Sequence, residues 1–78
     1  MDNSTLNKRI GFEMRSQRLL KRMTLEQVAS SMGISSRNTI SYWELGKTEI
    51  TVEDLVRYCD VIGCNFITIL EKATKEKG

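Results

Sequence analysis

Arg37 and Asn38 stand side by side, and Thr39, Ser41 and Tyr42 follow within one helical turn and a half. Such side chains supply a forked donor, a paired donor and acceptor, and hydroxyls, which is the chemistry that recognises base-pair edges. An arginine can hold guanine O6 and N7 with two hydrogen bonds, and an asparagine can hold adenine N6 and N7 likewise. From Glu26 to Glu44 seventeen successive positions carry no acid, and two serine pairs, Ser30-Ser31 and Ser35-Ser36, fall in that run. That composition suits approach to phosphates, although a plain polar surface would share it. For bond-breaking chemistry the chain offers no histidine, no glycine-rich phosphate loop, no carboxylate pair in an evident pocket and no metal-ligand cluster. The expectation is a binding protein and not an enzyme, with no cofactor, no metal and no small-molecule substrate.

Reading a major groove needs a short amphipathic helix with an outward polar face, braced by a second helix across a tight turn. The apolar spacing is helical almost throughout, with no useful run of period two. A first helix is expected over about 5–21, with Leu6, Ile10 and Met14 as its inner stripe. Thr24 and Gln27 form a capping box for a second helix, whose apolar face is Leu25, Val28, Ala29 and Met32 and whose stop is Gly33. After the turn Gly33-Ile34-Ser35, Ser36 is the preferred N-cap, with Ser35 as second choice. The third helix then runs over 37–45, with Ile40 and Trp43 inward and Leu45 as a further inward candidate. Thr51, with Asp54 in the box position, opens a fourth helix facing inward through Leu55, Tyr58, Cys59 and Ile62 and ending at Gly63. Asn65 opens a fifth over 66–74. The fold class is all-α: five short helices in a single domain over 1–78, ordered over about 5–72 with frayed ends.

Composition bounds the rest. Seventy-eight residues with no proline and five glycines make one small domain, for which dimerisation would add stability. No stretch approaches the roughly 18 apolar residues of a membrane span, and the first residues lack the apolar block of a signal peptide. The expected location is the cytoplasm, with no membrane partner. Cys59 and Cys64 are the only cysteines, read as two reduced thiols, with a redox switch as the alternative. The net charge of +2 hides an asymmetry. Residues 1–48 hold Lys8, Arg9, Arg15, Arg18, Lys21, Arg22, Arg37 and Lys47 against Asp2, Glu13, Glu26 and Glu44, so a polyanion would prefer that half.

The ordered pieces resemble the lambda-repressor-like, or Cro/CI/Xre, helix-turn-helix family. The resemblance covers about 10–70 and rests on Ile10-Gly11, Met14 and Arg18. It continues through Thr24-Leu25-Glu26-Gln27-Val28-Ala29, Met32-Gly33-Ile34-Ser35, Thr39-Ile40-Ser41 and Trp43-Glu44-Leu45-Gly46-Lys47, with Leu55, Gly63 and Leu70 beyond. It implies that the second and third helices form the helix-turn-helix. It also implies that Arg37, Asn38, Thr39 and Tyr42 match base-reading positions. Thr24, Ser36, Lys47 and Thr48 match phosphate-contacting ones, and Arg18 and Glu44 match a structural salt bridge. Tyr42 could equally pack, Trp43 reads as core, and Lys8 and Arg9 read as solvated.

Four departures qualify the match. The stretch from Gly33 to Ile40 is one residue longer than the family pattern. Placing the extra residue in the turn gives the assignments above, whereas placing it in the helix moves base reading toward Ser35, Ser36 and Asn38. Arg22 stands where glycine is usual, Ile50 where proline is usual, and Leu25 where the family is often polar. In the last helix Phe66, Ile67, Ile69 and Leu70 cannot all enter one small core. Since family members often dimerise there, a two-fold contact around Phe66, Ile67 and Thr68 is predicted, with a single exposed isoleucine as the plain alternative. The resemblance implies a sequence-specific transcriptional regulator of double-stranded DNA, of the phage or mobile-element repressor type. The alternatives are a protein-interaction module or an antitoxin-type partner on the same fold, each needing a protein partner.

Overall fold

Five helices carry the described chain: α1 (Asn3–Leu20), α2 (Leu25–Met32), α3 (Arg37–Leu45), α4 (Val52–Ile62) and α5 (Phe66–Thr74). The computed structural model describes residues 3–75, and the backbone alone for Asn3, Ser4 and Thr5. Part of the fraying expected at the ends falls on residues outside that range. Within it, α1 already starts at Asn3 and Ala73 is packed into the interior, so helical order reaches past both 5 and 72.

Local chemistry starts and stops each element. The Thr24 hydroxyl accepts the Gln27 N–H at 3.0 Å, while Gln27 Oε1 accepts the Thr24 N–H at 2.8 Å. These two bonds satisfy donors that the first turn of α2 cannot pair itself. Ser36, Thr51 and Asn65 cap α3, α4 and α5 by accepting the N–H of Asn38, Asp54 and Ile67. At the other ends α2, α3 and α4 stop on left-handed glycines. Two distant bases add to this: Arg57 Nη2 donates to the Met32 carbonyl at 2.6 Å and Lys21 Nζ to the Gly63 carbonyl at 2.9 Å. Cations thus meet the negative ends of α2 and α4. Arg22 is the only non-glycine residue with positive φ among those described, at 60°.

Packing centres on α1 and α3. α1 lies against α3 and α5, and α2 against α3 and α4. Met14, Val28, Ile40, Tyr58 and Ile69 are fully buried, and Trp43, Leu55, Cys59 and Ile62 complete the interior. Gly11 permits the α1–α3 crossing: a Cβ there would lie 2.4 Å from the carbonyl oxygens of Trp43 and Glu44. Two apolar expectations need correction. Leu45 is 52% exposed, because Trp43 and Glu44 already take the inward arc of the last turn of α3. Leu6 sits at the rim of the inner stripe and is exposed. Leu25 packs half-buried against the core, in keeping with its place on the apolar face of α2.

Candidate nucleic-acid interface

α2 packs directly on α3 and braces it. The α3 N-terminus opens at Ser36, whose Oγ accepts the Asn38 N–H at 3.1 Å. The extra residue of the Gly33–Ile40 stretch therefore lies in the turn, ahead of the helix. Because that serine oxygen accepts, its own hydroxyl hydrogen is free to donate outward. Arg37 and Asn38 follow immediately and are exposed. Thr39 and Ser41 are half-buried flanks, and Tyr42 is exposed one turn further along. Side chains of α3 thus divide by helical period, Ile40 and Trp43 into the core and Arg37, Asn38 and Tyr42 into solvent.

The loop after α3 is tied to its last turn. The N–H groups of Lys47 and Thr48 both point to the Tyr42 carbonyl, at 2.9 and 3.4 Å. Any phosphate contact there falls to the two side chains. Lys47 Nζ stands 5.6 Å over the Tyr42 ring, a cation–π distance that places a positive charge beside an exposed aromatic. Lys8, read from sequence as merely solvated, lies against Gly46, where its Cα and Cγ would touch an added Cβ. Nothing in the sequence between 8 and 46 signals that contact. Thr24 sits at the start of α2, exposed, with its N–H engaged by Gln27.

One charged neighbour is absent from the sequence reading. Glu26 Oε2 accepts from Arg37 Nη1 at 3.1 Å, and both side chains remain more than half exposed. The carboxylate does not bury Arg37 or wall it off. No sequence signal joins the two, since they lie eleven residues apart on separate helices.

Beneath the surface, Arg18 Nε and Nη2 donate to Glu44 Oε2 and Oε1 at 2.7 and 2.9 Å, and Arg18 Nη1 donates to the Met23 carbonyl at 2.7 Å. The Tyr58 hydroxyl donates to Glu44 Oε2 at 2.6 Å and lies 2.9 Å from the Met14 carbonyl. Hydrogen bonding to Glu44 holds the Arg18 guanidinium above its already high range, against the opposing effect of burial. Burial, and then the Glu44 carboxylate, push the Tyr58 phenol well above the ordinary tyrosine range. This network fixes α3 to α1 and α4. Tyr58 was legible as an inward residue, but its bond to Glu44 was not.

Phe66 and Thr68 are half-buried and Ile67 is 50% exposed, on a helix that packs on α1 and α4 and not on α3. The structure therefore separates these three residues from the α3 surface. Among the described residues no helix is long and apolar enough to cross a membrane. Among the described residues no group of three or more potential metal ligands occurs.

The helix-turn-helix family model HTH_3 matches residues 14–69. Among solved structures, the crystal structure of the clp gene regulator ClgR from C. glutamicum is similar, at 29% identity and a TM-score of 0.82, covering 87% of each chain. No curated protein matches the chain.

Proposed function

The chain belongs to the helix-turn-helix family, and on that premise we propose that it is a DNA-binding transcription regulator that reads the major groove with α3. The observation that carries this reading is the outward pair Arg37 and Asn38, first on a helix capped by Ser36 and braced by α2. A groove-entering helix needs donors at its N-terminal end, rigid support behind it and no acid on its leading residues. The similarity to a clp gene regulator supports the same class.

In finer detail, Arg37 and Asn38 contact base edges, with Thr39 and Tyr42 behind them. Ser36, Thr24, Lys47 and Thr48 hold phosphates on either side through hydroxyl and ammonium groups. A two-fold dimer through Phe66, Ile67 and Thr68 would place two copies of α3 in successive major grooves, ~34 Å apart. Bound over a promoter, such a dimer represses by excluding polymerase. The half-exposed Ile67 also suits the second reading, a protein-interaction module on the same fold.

Selection from a random duplex pool, followed by footprinting and a salt titration, tests the proposal. The expected result is an enriched, two-fold related motif whose binding weakens steeply with salt as phosphate counterions are released. No enrichment over random duplex, with salt-insensitive capture of a protein instead, would overturn it.

A further inference from the structure

Glu26 is the one acidic residue of α2, and it is the residue that meets Arg37. Side-chain exposures of 68% for Glu26 and 59% for Arg37 mean that the pair is held in water. An ion pair this open adds little to folding stability. It does set the state of the guanidinium before any ligand arrives. A lone arginine on a flexible stem would be attracted to any phosphate oxygen. Here one Nη1 hydrogen is engaged at 3.1 Å and the carboxylate cancels much of the local charge. Arginine has five N–H donors, so Nε, Nη2 and the second Nη1 hydrogen stay available, enough for a two-point grip on guanine O6 and N7. The same carboxylate repels phosphate oxygens and so weakens attraction that is blind to sequence.

The geometry points to Glu26 as a positioning residue that sets specificity, by presenting Arg37 to a guanine edge and denying it to the phosphate backbone. This inference rests on the DNA reading proposed above. It adds a residue that no base contact of its own would reveal.

The test compares the wild type, E26Q, R37A and the double variant on three duplexes: the selected site, that site with each guanine pair replaced, and a random sequence. Glutamine keeps the shape of an exposed side chain, so all four proteins should melt alike. E26Q is expected to bind random duplex about 3–10-fold more tightly and to lose about 3–10-fold of the preference at one guanine pair, the pair that R37A also relaxes. Its salt slope should steepen by about one released ion. In the R37A background, E26Q should change no base preference. In the free protein, arginine side-chain NMR should show slowed rotation of the Arg37 guanidinium, lost in E26Q. The inference is overturned if E26Q tightens selected and random duplex equally, if it changes neither, if its effect on base preference survives in R37A, or if the Arg37 guanidinium rotates freely in the wild type. A wild type with no preference among duplexes defeats the underlying DNA reading, and this inference with it.

Discussion

Arg18 grips both carboxylate oxygens of Glu44 across twenty-six residues of sequence, at 2.7 and 2.9 Å, and the pair is closed from solvent. The Tyr58 hydroxyl bonds the same carboxylate from a third helix. Charges taken out of water must be compensated in full, so removing one partner costs more than the pair itself contributes. Glu44→Ala is expected to lose ~3–5 kcal/mol in urea unfolding. Replacing both partners by apolar residues, Arg18→Met with Glu44→Leu, should lose clearly less than the two single changes added together. Additive losses would mean that the two charges act independently.

Gly11 has its own consequence. A methyl group there would overlap the α3 backbone, and a backbone cannot swing aside as a side-chain tip can. Gly11→Ala should therefore destabilise by ~1–3 kcal/mol or more through separation of α1 from α3. Gly33→Ala meets open space and carries only the strain of its left-handed φ, about 1 kcal/mol. A thermal melt in which Gly33→Ala is the more damaging change would reverse this account.

Arg22 holds a left-handed backbone conformation that costs a non-glycine residue ~1–2 kcal/mol. Arg22→Gly removes that strain but gives the unfolded chain more freedom, which offsets part of the gain. The expected net effect is stabilisation of up to about 1 kcal/mol, visible as a raised Tm. A lowered Tm would show that the Arg22 side chain contributes more than its backbone strain removes.

Alkaline pH should unfold the protein through two buried groups. Burial raises the Tyr58 phenol, helped by Glu44, and burial raises the Cys59 thiol, helped by the neighbouring Cys64. A raised folded-state pKa gives stability that is complete below the unfolded value and is lost above it, because only the unfolded chain can ionise there. Unfolded cysteine and tyrosine titrate near pH ~8.5 and ~10, so stability should start to fall above the first and fall faster above the second. Each group contributes up to about 1.4 kcal/mol per pH unit. Urea titrations from neutral to strongly alkaline buffer should show this, and Tyr58→Phe should remove the steeper part. A flat profile through both values would refute it.

Base reading and phosphate holding should separate by mutation. Arg37→Ala is expected to cost ~1–3 kcal/mol on the selected duplex and to relax preference at one base pair. Lys47→Ala should weaken every duplex alike and reduce the salt slope by about one. Equal losses on selected and random duplex for Arg37→Ala would remove it from the reading set.

Much of the architecture was legible because it is written locally. Thr24 and Gln27 are three residues apart, and Ser36 and Asn38 two, so their caps form wherever a helix starts there. The apolar period likewise places Val28, Ile40, Tyr58 and Ile62 on inner faces before any tertiary contact exists. The outward direction of Arg37 and Asn38 follows from the same period once Ile40 faces in. Leu45 was misjudged because the period alone does not say how wide the buried arc is.

Sequence by itself therefore determined where α2 to α5 begin and end and which residues form most of each apolar face, since caps and periodicity act within a few residues. Only the tertiary structure decided that Glu26 would meet Arg37, that Gly11 would touch α3, and that Tyr58 would close over Arg18 and Glu44. Together with the Tyr58–Met14 bond, those contacts bridge 11 to 44 residues. They depend on how close helix axes approach and at what angle they cross, and the summed packing of the whole core sets both quantities.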